Sequence, residues 1–145
     1  MSQPTPQPNG LAAPAASTPE EPRSTQQRRV VVVDDHAMCR SGLTELLQNR
    51  SGMLVVAATG DRAQVVPLLR EKQPDLMVLD LNLGPVDGMS VLRMVRSEGI
   101  DVPVVVLTMS NSEEDLSAAL RAGVRGYLLK DMEPDDVIEA IGRAA

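Results

Sequence analysis

A doubly wound parallel α/β sandwich is the fold the chain predicts, and three observations predict it. Five runs, Val30–Val33, Leu54–Ala57, Leu76–Leu79, Val104–Leu107 and Gly126–Leu129, are apolar on successive residues, as strands covered on both faces are. Segments with helical spacing of apolar residues separate them. Strand and helix signals alternate along the whole stretch, which implies parallel strands joined by crossover helices.

Residues 1–28 are rich in Pro, Ser, Thr, Gln and Ala without a periodic apolar face. They offer too little apolar surface to offset the entropy of ordering, so a disordered tail is expected there, with the folded unit over 29–145. The first helix follows the first strand through Cys39, Leu43, Leu46 and Leu47, which makes Cys39 an expected small core residue. The second helix is expected over 62–72, with Pro67 too deep for a free first-turn position and expected to kink or shorten it. Val91, Leu92 and Val95 mark the third helix, and Leu116, Ala119 and Leu120 the fourth. Ser112, with Asp115 three residues on, resembles an N-terminal cap of that fourth helix, and Gly123 suits a left-handed position after it. Val137, Ile138 and Ile141 define the fifth, with Pro134 in its first turn. Eight scattered methionines read as packing, and no internal repeat is present.

Composition narrows the function classes. The chain of 145 residues fits one domain, and no apolar run is long enough to cross a bilayer. No basic start followed by an apolar stretch marks the N-terminus, so a cytoplasmic protein with no membrane partner is expected. The one cysteine cannot form an internal disulfide. A net charge of −6 argues against a surface built on phosphate contacts with nucleic acid.

In this architecture chemistry gathers at the carboxyl ends of the strands. Asp34 and Asp35 follow the first run, Asp80 the third, Thr108 the fourth and Lys130 the fifth. Each alone reads as a solvated strand end; four strand ends carrying such residues together read as a site. Converging carboxylates raise one another's pKa unless a cation compensates, and a few hard oxygen ligands suit Mg²⁺. Lys130 adds a fixed positive charge. His36, without a second His or a Cys nearby, is a poor metal site and reads as helix-start polarity.

The motifs "VVVVDDH", "LMVLDLNL", "VVVLTMS" and "GYLLKDMEP" occur in order, and together they resemble the receiver domain of two-component response regulators over residues 29–145. "RSGL", "SNSEED" and "AGVRGYLLKDMEPDD" are similar to the NarL/FixJ group, most nearly its nitrate/nitrite regulators. The resemblance implies a flavodoxin-like, CheY-like (βα)5 three-layer sandwich with a five-stranded parallel sheet of order 2-1-3-4-5. It implies a phosphoacceptor signalling domain rather than an enzyme proper, one that assists its own phosphorylation and dephosphorylation. Asp80 would be the phosphoacceptor; Asp34, Asp35, Asp80 and the Asn82 carbonyl would hold Mg²⁺; Lys130 would contact the phosphoryl group. Thr108 and Tyr127, the only aromatic residue, would be the switch pair. The implied partners are a sensor histidine kinase and a second copy in a phosphorylation-dependent homodimer.

Two positions depart from the family pattern. In "DLNLGPVDG" Gly84 stands where Pro is usual and Pro85 follows, while Gly88 is in its expected place; Ala37 replaces a common Pro after "DDH". A phosphatase of the haloacid dehalogenase type also uses a nucleophilic Asp after a strand, but wants a second Asp where this chain has Asn82. A scaffold that is never phosphorylated is the third class, and the full set of polar residues speaks against it. The chain stops just after the fifth helix, so no DNA-binding domain is expected within it. DNA would then be reached only through a helix-turn-helix domain outside this chain, in a longer transcription factor, with a stand-alone regulator acting by protein contacts as the other option.

Overall fold

Four consecutive valines leave the first strand, β1 (Arg29–Val33), with no polar face, and the structure buries it centrally. The computed structural model describes residues 27–50, 52–83, 86–109 and 112–144. The expected tail, apart from residues 27 and 28, lies outside these, as do Gly84 and Pro85.

From β1 the chain runs through α1 (Ala37–Arg50), β2 (Leu54–Thr59), α2 (Arg62–Lys72), β3 (Leu76–Leu79), α3 (Gly88–Ser97), β4 (Val104–Thr108), α4 (Glu113–Arg121), β5 (Gly126–Leu129) and α5 (Pro134–Ala144). The five strands form one parallel sheet in the order β2-β1-β3-β4-β5. Between β3 and α3 a minimal antiparallel ribbon pairs Asn82–Leu83 with Val86–Asp87. Ribbons this short carry no periodic signal, so the sequence does not announce it.

Helices cover both faces because the strands are apolar on both. Val31, Val33, Met77, Leu79, Val104 and Val106 pack with Val65 and Leu69 of α2, Leu92 of α3 and Ala119 of α4. Val30, Val32, Leu76, Val78 and Val105 pack instead with Leu43 and Leu47 of α1 and with Val137 and Ile141 of α5. Each such side chain, fully buried, contributes about 1.5–3 kcal/mol as an upper bound. Among the described residues no helix is long and apolar enough to cross a membrane.

The caps expected for α4 fall where the sequence placed them. The Ser112 side chain accepts hydrogen bonds from the Glu114 and Asp115 N–H groups, and Gly123 takes φ +83° after α4. The expectation that Pro67 would shorten α2 is corrected, since the helix runs unbroken from Arg62 to Lys72. Pro67 and Ala63 both face solvent, where water can take the carbonyl that a proline leaves without a helical donor. Cys39 is also corrected: it is exposed, as are Ala37 and Met38 beside it in the first turn of α1. It lines a cavity of about 180 Å³ between α1 and α5, together with Leu43, Lys130 and Val137.

The register of β1 against β3 fixes which polar residues meet at the strand ends. Val30 to Val33 pair with Leu76 to Leu79 without a shift, whereas on the β2 side a bulge lies between Val30 and Val31. Below the valines, the Arg29 N–H donates to the Asp75 carboxylate at 2.8 Å and the Asp75 N–H to the Arg29 carbonyl at 2.7 Å. Above them, the Asp80 N–H donates to the Val33 carbonyl at 2.9 Å.

Candidate functional site

That register sets Asp34, the residue after Val33, beside Asp80, the residue after Leu79. Both are buried, at 3% and 2% exposure, so two carboxylates share an edge where water is largely excluded. Lys130, delivered by the end of β5, sits between them. Its Nζ lies 2.8 Å from Asp34 Oδ2 and 3.0 Å from Asp80 Oδ2. The other Asp80 oxygen, Oδ1, accepts the Asn82 N–H at 2.9 Å.

The charges perturb one another. Burial is the largest influence on Asp80 and holds its carboxyl above the usual range, with the Asp34 charge adding to the rise. The Asn82 N–H and Lys130 pull in the other direction without cancelling it. For Lys130, burial is again the largest single influence and presses its pKa down. Hydrogen bonds and charge from Asp34 and Asp80 together outweigh that, so the ammonium is held above its ordinary value.

Thr108, at the end of β4, is wholly buried, and its Oγ1 accepts the Asn82 side-chain amide at 3.2 Å. Tyr127 on β5 is half-buried and packs against the cluster formed with α2, α3 and α4. Thus Asp34, Asp35, Asp80, Asn82, Thr108 and Lys130 converge at one edge, while Tyr127 stands one step back on the neighbouring strand.

Three features of the site are not announced by sequence patterns. The first is His36, which is more than helix-start polarity: its Nδ1 lies 3.2 Å from Asp35 Oδ1, 3.3 Å from Asp34 Oδ1 and 3.7 Å from Asp80 Oδ2. The only available signal is its place directly after the aspartates in the turn. The second is Arg40, whose guanidinium donates to the Asp34 backbone carbonyl at 2.7 Å and braces the β1–α1 turn. Gly60 makes room for that brace, since a Cβ there would come within 2.9 Å of Arg40 Nη1 and of Asp35 Cα. The third is the reason for Gly88, where a Cβ would meet the Asp80 carbonyl and Leu81 Cα at 2.5 Å. Only glycine lets α3 start against the backbone that carries Asp80.

Ligand atoms of Asp34, Asp35, His36 and Asp80 all lie within 4.8 Å of one another. Three carboxylates of which two are buried, with the Lys130 ammonium already drawn between those two, form a donor set that fits a hard divalent cation.

Comparison with known proteins agrees with this geometry. The family model described as "Response regulator receiver domain" matches residues 30–142. The nitrate/nitrite response regulator protein NarL of Escherichia coli K12 is 38% identical over 116 residues, covering 80% of this chain and 54% of that protein. The transcriptional regulatory protein DegU of Brevibacillus brevis is 34% identical over 113 residues, covering 78% and 48%. The chain thus spans about half the length of the curated relatives it matches. Among solved structures, the signal receiver domain of the putative response regulator NarL from Mycobacterium tuberculosis superposes with a TM-score of 0.74 at 30% identity, covering 81% of this chain and 95% of that one. A LuxR-family two-component response regulator from Aurantimonas sp. SI85-9A1 gives 0.75 at 32%, covering 81% and 84%.

Proposed function

Since the chain belongs to the response regulator receiver domain family, we propose that residues 29–145 act as a phosphoryl-accepting switch, with Asp80 as acceptor and a sensor histidine kinase as donor. The observation that carries this reading is the buried Asp80 carboxylate, held by Lys130 on one oxygen and by the Asn82 N–H on the other. Asp34, Asp35, Asp80 and the Asn82 carbonyl would hold Mg²⁺, which supplies charge neutralisation to the phosphoryl oxygens.

The chain's own residues do the rest. An Asp80 carboxylate oxygen attacks phosphorus, the bond from phosphorus to the donor nitrogen breaks, and an aspartyl-phosphate results. The Asn82 N–H and Lys130 orient the carboxylate, so little reorganisation is needed on the way to the transition state. The Lys130 ammonium, raised in pKa and so charged at any physiological pH, can move from Asp80 to a phosphoryl oxygen. The Thr108 hydroxyl, whose oxygen accepts from the Asn82 side-chain amide, would turn toward the same group. Its displacement toward the phosphate would open space for the Tyr127 ring and bias the surface around α4, β5 and α5 between two states.

Relatives named as nitrate/nitrite and transcriptional regulators extend the proposal to control of transcription, exerted through an output domain rather than through this α/β unit. A homodimer formed on phosphorylation is the assembly such a role would use.

Incubation with acetyl phosphate and Mg²⁺ tests the assignment. An adduct of roughly 80 Da, one phosphoryl group, is expected on the wild type and absent from Asp80→Asn. Labelling of the mutant to the wild-type extent would sink the choice of Asp80. Tyr127→Ala should still be labelled yet lose the phosphate-dependent spectral shifts around residues 113–144.

A further inference from the structure

We propose that His36 is itself a metal ligand, and that its nitrogen biases the acidic site toward a first-row transition dication over magnesium. The inference rests on the reading of Asp34, Asp35 and Asp80 as the metal site, and extends it to a residue that reading does not use.

Two donors bound to one ion at about 2.1 Å and about 90–110° stand roughly 3.0–3.4 Å apart. His36 Nδ1 stands 3.2 Å from Asp35 Oδ1 and 3.3 Å from Asp34 Oδ1, which are edge lengths of such a polyhedron. Its 3.7 Å to Asp80 Oδ2 corresponds to a somewhat wider angle about the same centre. The backbone that carries the ring is held in place. The His36 N–H donates to Asp34 Oδ1 at 2.8 Å, and Arg40 holds the Asp34 carbonyl at 2.7 Å, so the turn that presents the imidazole is braced from both sides.

The donor set decides the chemistry. Magnesium takes oxygen ligands and keeps its waters, and gains little from an imidazole. Imidazole nitrogen suits Mn²⁺, Co²⁺ and Zn²⁺ progressively better, in the general order of first-row affinities. Three carboxylates with one imidazole at bonding separations therefore discriminate between these ions by the nitrogen. The carboxylates have capacity to spare, since each offers about four lone-pair directions and Lys130 engages only Oδ2 of Asp34 and of Asp80.

The test is a pair of metal titrations on the full chain by calorimetry, Mg²⁺ against Co²⁺, at about pH 8, above the ordinary histidine value of about 6.5. In His36→Asn, affinity for Co²⁺ is expected to fall by about tenfold or more beyond any fall for Mg²⁺. The Co²⁺ absorption band should change with the substitution. The ring resonances should shift on Co²⁺ binding, and the chain has one histidine, so their assignment is unambiguous. An unchanged Co²⁺ to Mg²⁺ ratio, with Mg²⁺ still bound, overturns the role of His36 and leaves the magnesium reading standing. Binding of both ions unaffected by Asp34→Asn and Asp80→Asn overturns both, because the acidic cluster would then not be the metal site.

Discussion

Val33, the last residue of β1, and Asp34, which follows it, are almost equally hidden, at 1% and 3% exposure, yet burial acts on them in opposite directions. Below the boundary, the valines of β1 and the Leu76–Leu79 run of β3 gain free energy from leaving water. Above it, the Asp80 carboxylate loses hydration and recovers only part of it from the Asn82 N–H and Lys130. The same contrast recurs from Leu79 to Asp80 and from Leu107 to Thr108. The difference teaches that the lower sheet holds the fold and the upper edge draws on that stability to keep charges close together for binding.

The largest way to break this contrast is to empty the lower half. Leu76→Ala, on the strand that carries Asp80 and fully buried, should cost about 2–5 kcal/mol in chemical denaturation. The fraction that stays folded should keep its metal affinity, because the site lies at the other end of the strand. Gly88→Ala comes next, with an expected loss of about 1–3 kcal/mol and weakened metal binding, since its Cβ would press on the backbone of Asp80 and Leu81.

Asp80→Asn should move stability the other way. Its carboxyl is held above the ordinary value of about 3.8, so in the native state ionisation is disfavoured. Between the ordinary and the raised value the native state binds more protons than the unfolded one, and wild-type stability falls as pH rises through that window. In metal-free buffer the mutant should lack this fall and melt higher than the wild type near neutral pH. The advantage should vanish below the ordinary carboxylate value, where both states are protonated. A mutant that melts lower at neutral pH would mean that Lys130 more than compensates the burial of Asp80. The smallest expected effect sharpens the comparison from outside: Arg50 pairs with Asp135 between the exposed faces of α1 and α5, and Arg50→Ala should change stability by less than about 0.5 kcal/mol. Ion pairs at the surface and at the sheet edge are chemically alike and energetically different.

Much of this is legible in the chain. Consecutive apolar residues mark the strands, because strands buried on both faces need no alternation, and each polar residue after them falls where expected. What stays hidden depends on where side chains point after the backbone turns. His36 reads as one polar residue among others until the β1–α1 turn swings its ring toward Asp35. Arg40 lies one helical turn into α1 and reaches back to a carbonyl, a contact that no spacing rule encodes. Cys39 matches an apolar periodicity, but the periodicity does not say that the first turn of the helix stays exposed. Depth in the helix argues against Pro67, whereas its exposure decides the outcome.

The seating of β1 against β3 needs more than its core. A run of identical valines between two apolar layers is a smooth rail, since sliding it by one residue exchanges valine for valine on either side. The core alone could not tell the correct alignment from its neighbour, and the bulge beside β2 shows how readily that flank absorbs an extra residue. The stops are polar and sit at the two ends: the Asp75 carboxylate on the Arg29 N–H below, and the Asp34 and Asp80 carboxylates that share Lys130 above. A fifth valine inserted in the run would thus leave a foldable interior and a chain out of step, with Asp34 carried about 3.3 Å past Asp80 and the site dismantled. The hydrophobic residues supply the hold, and a few hydrogen bonds keep the count.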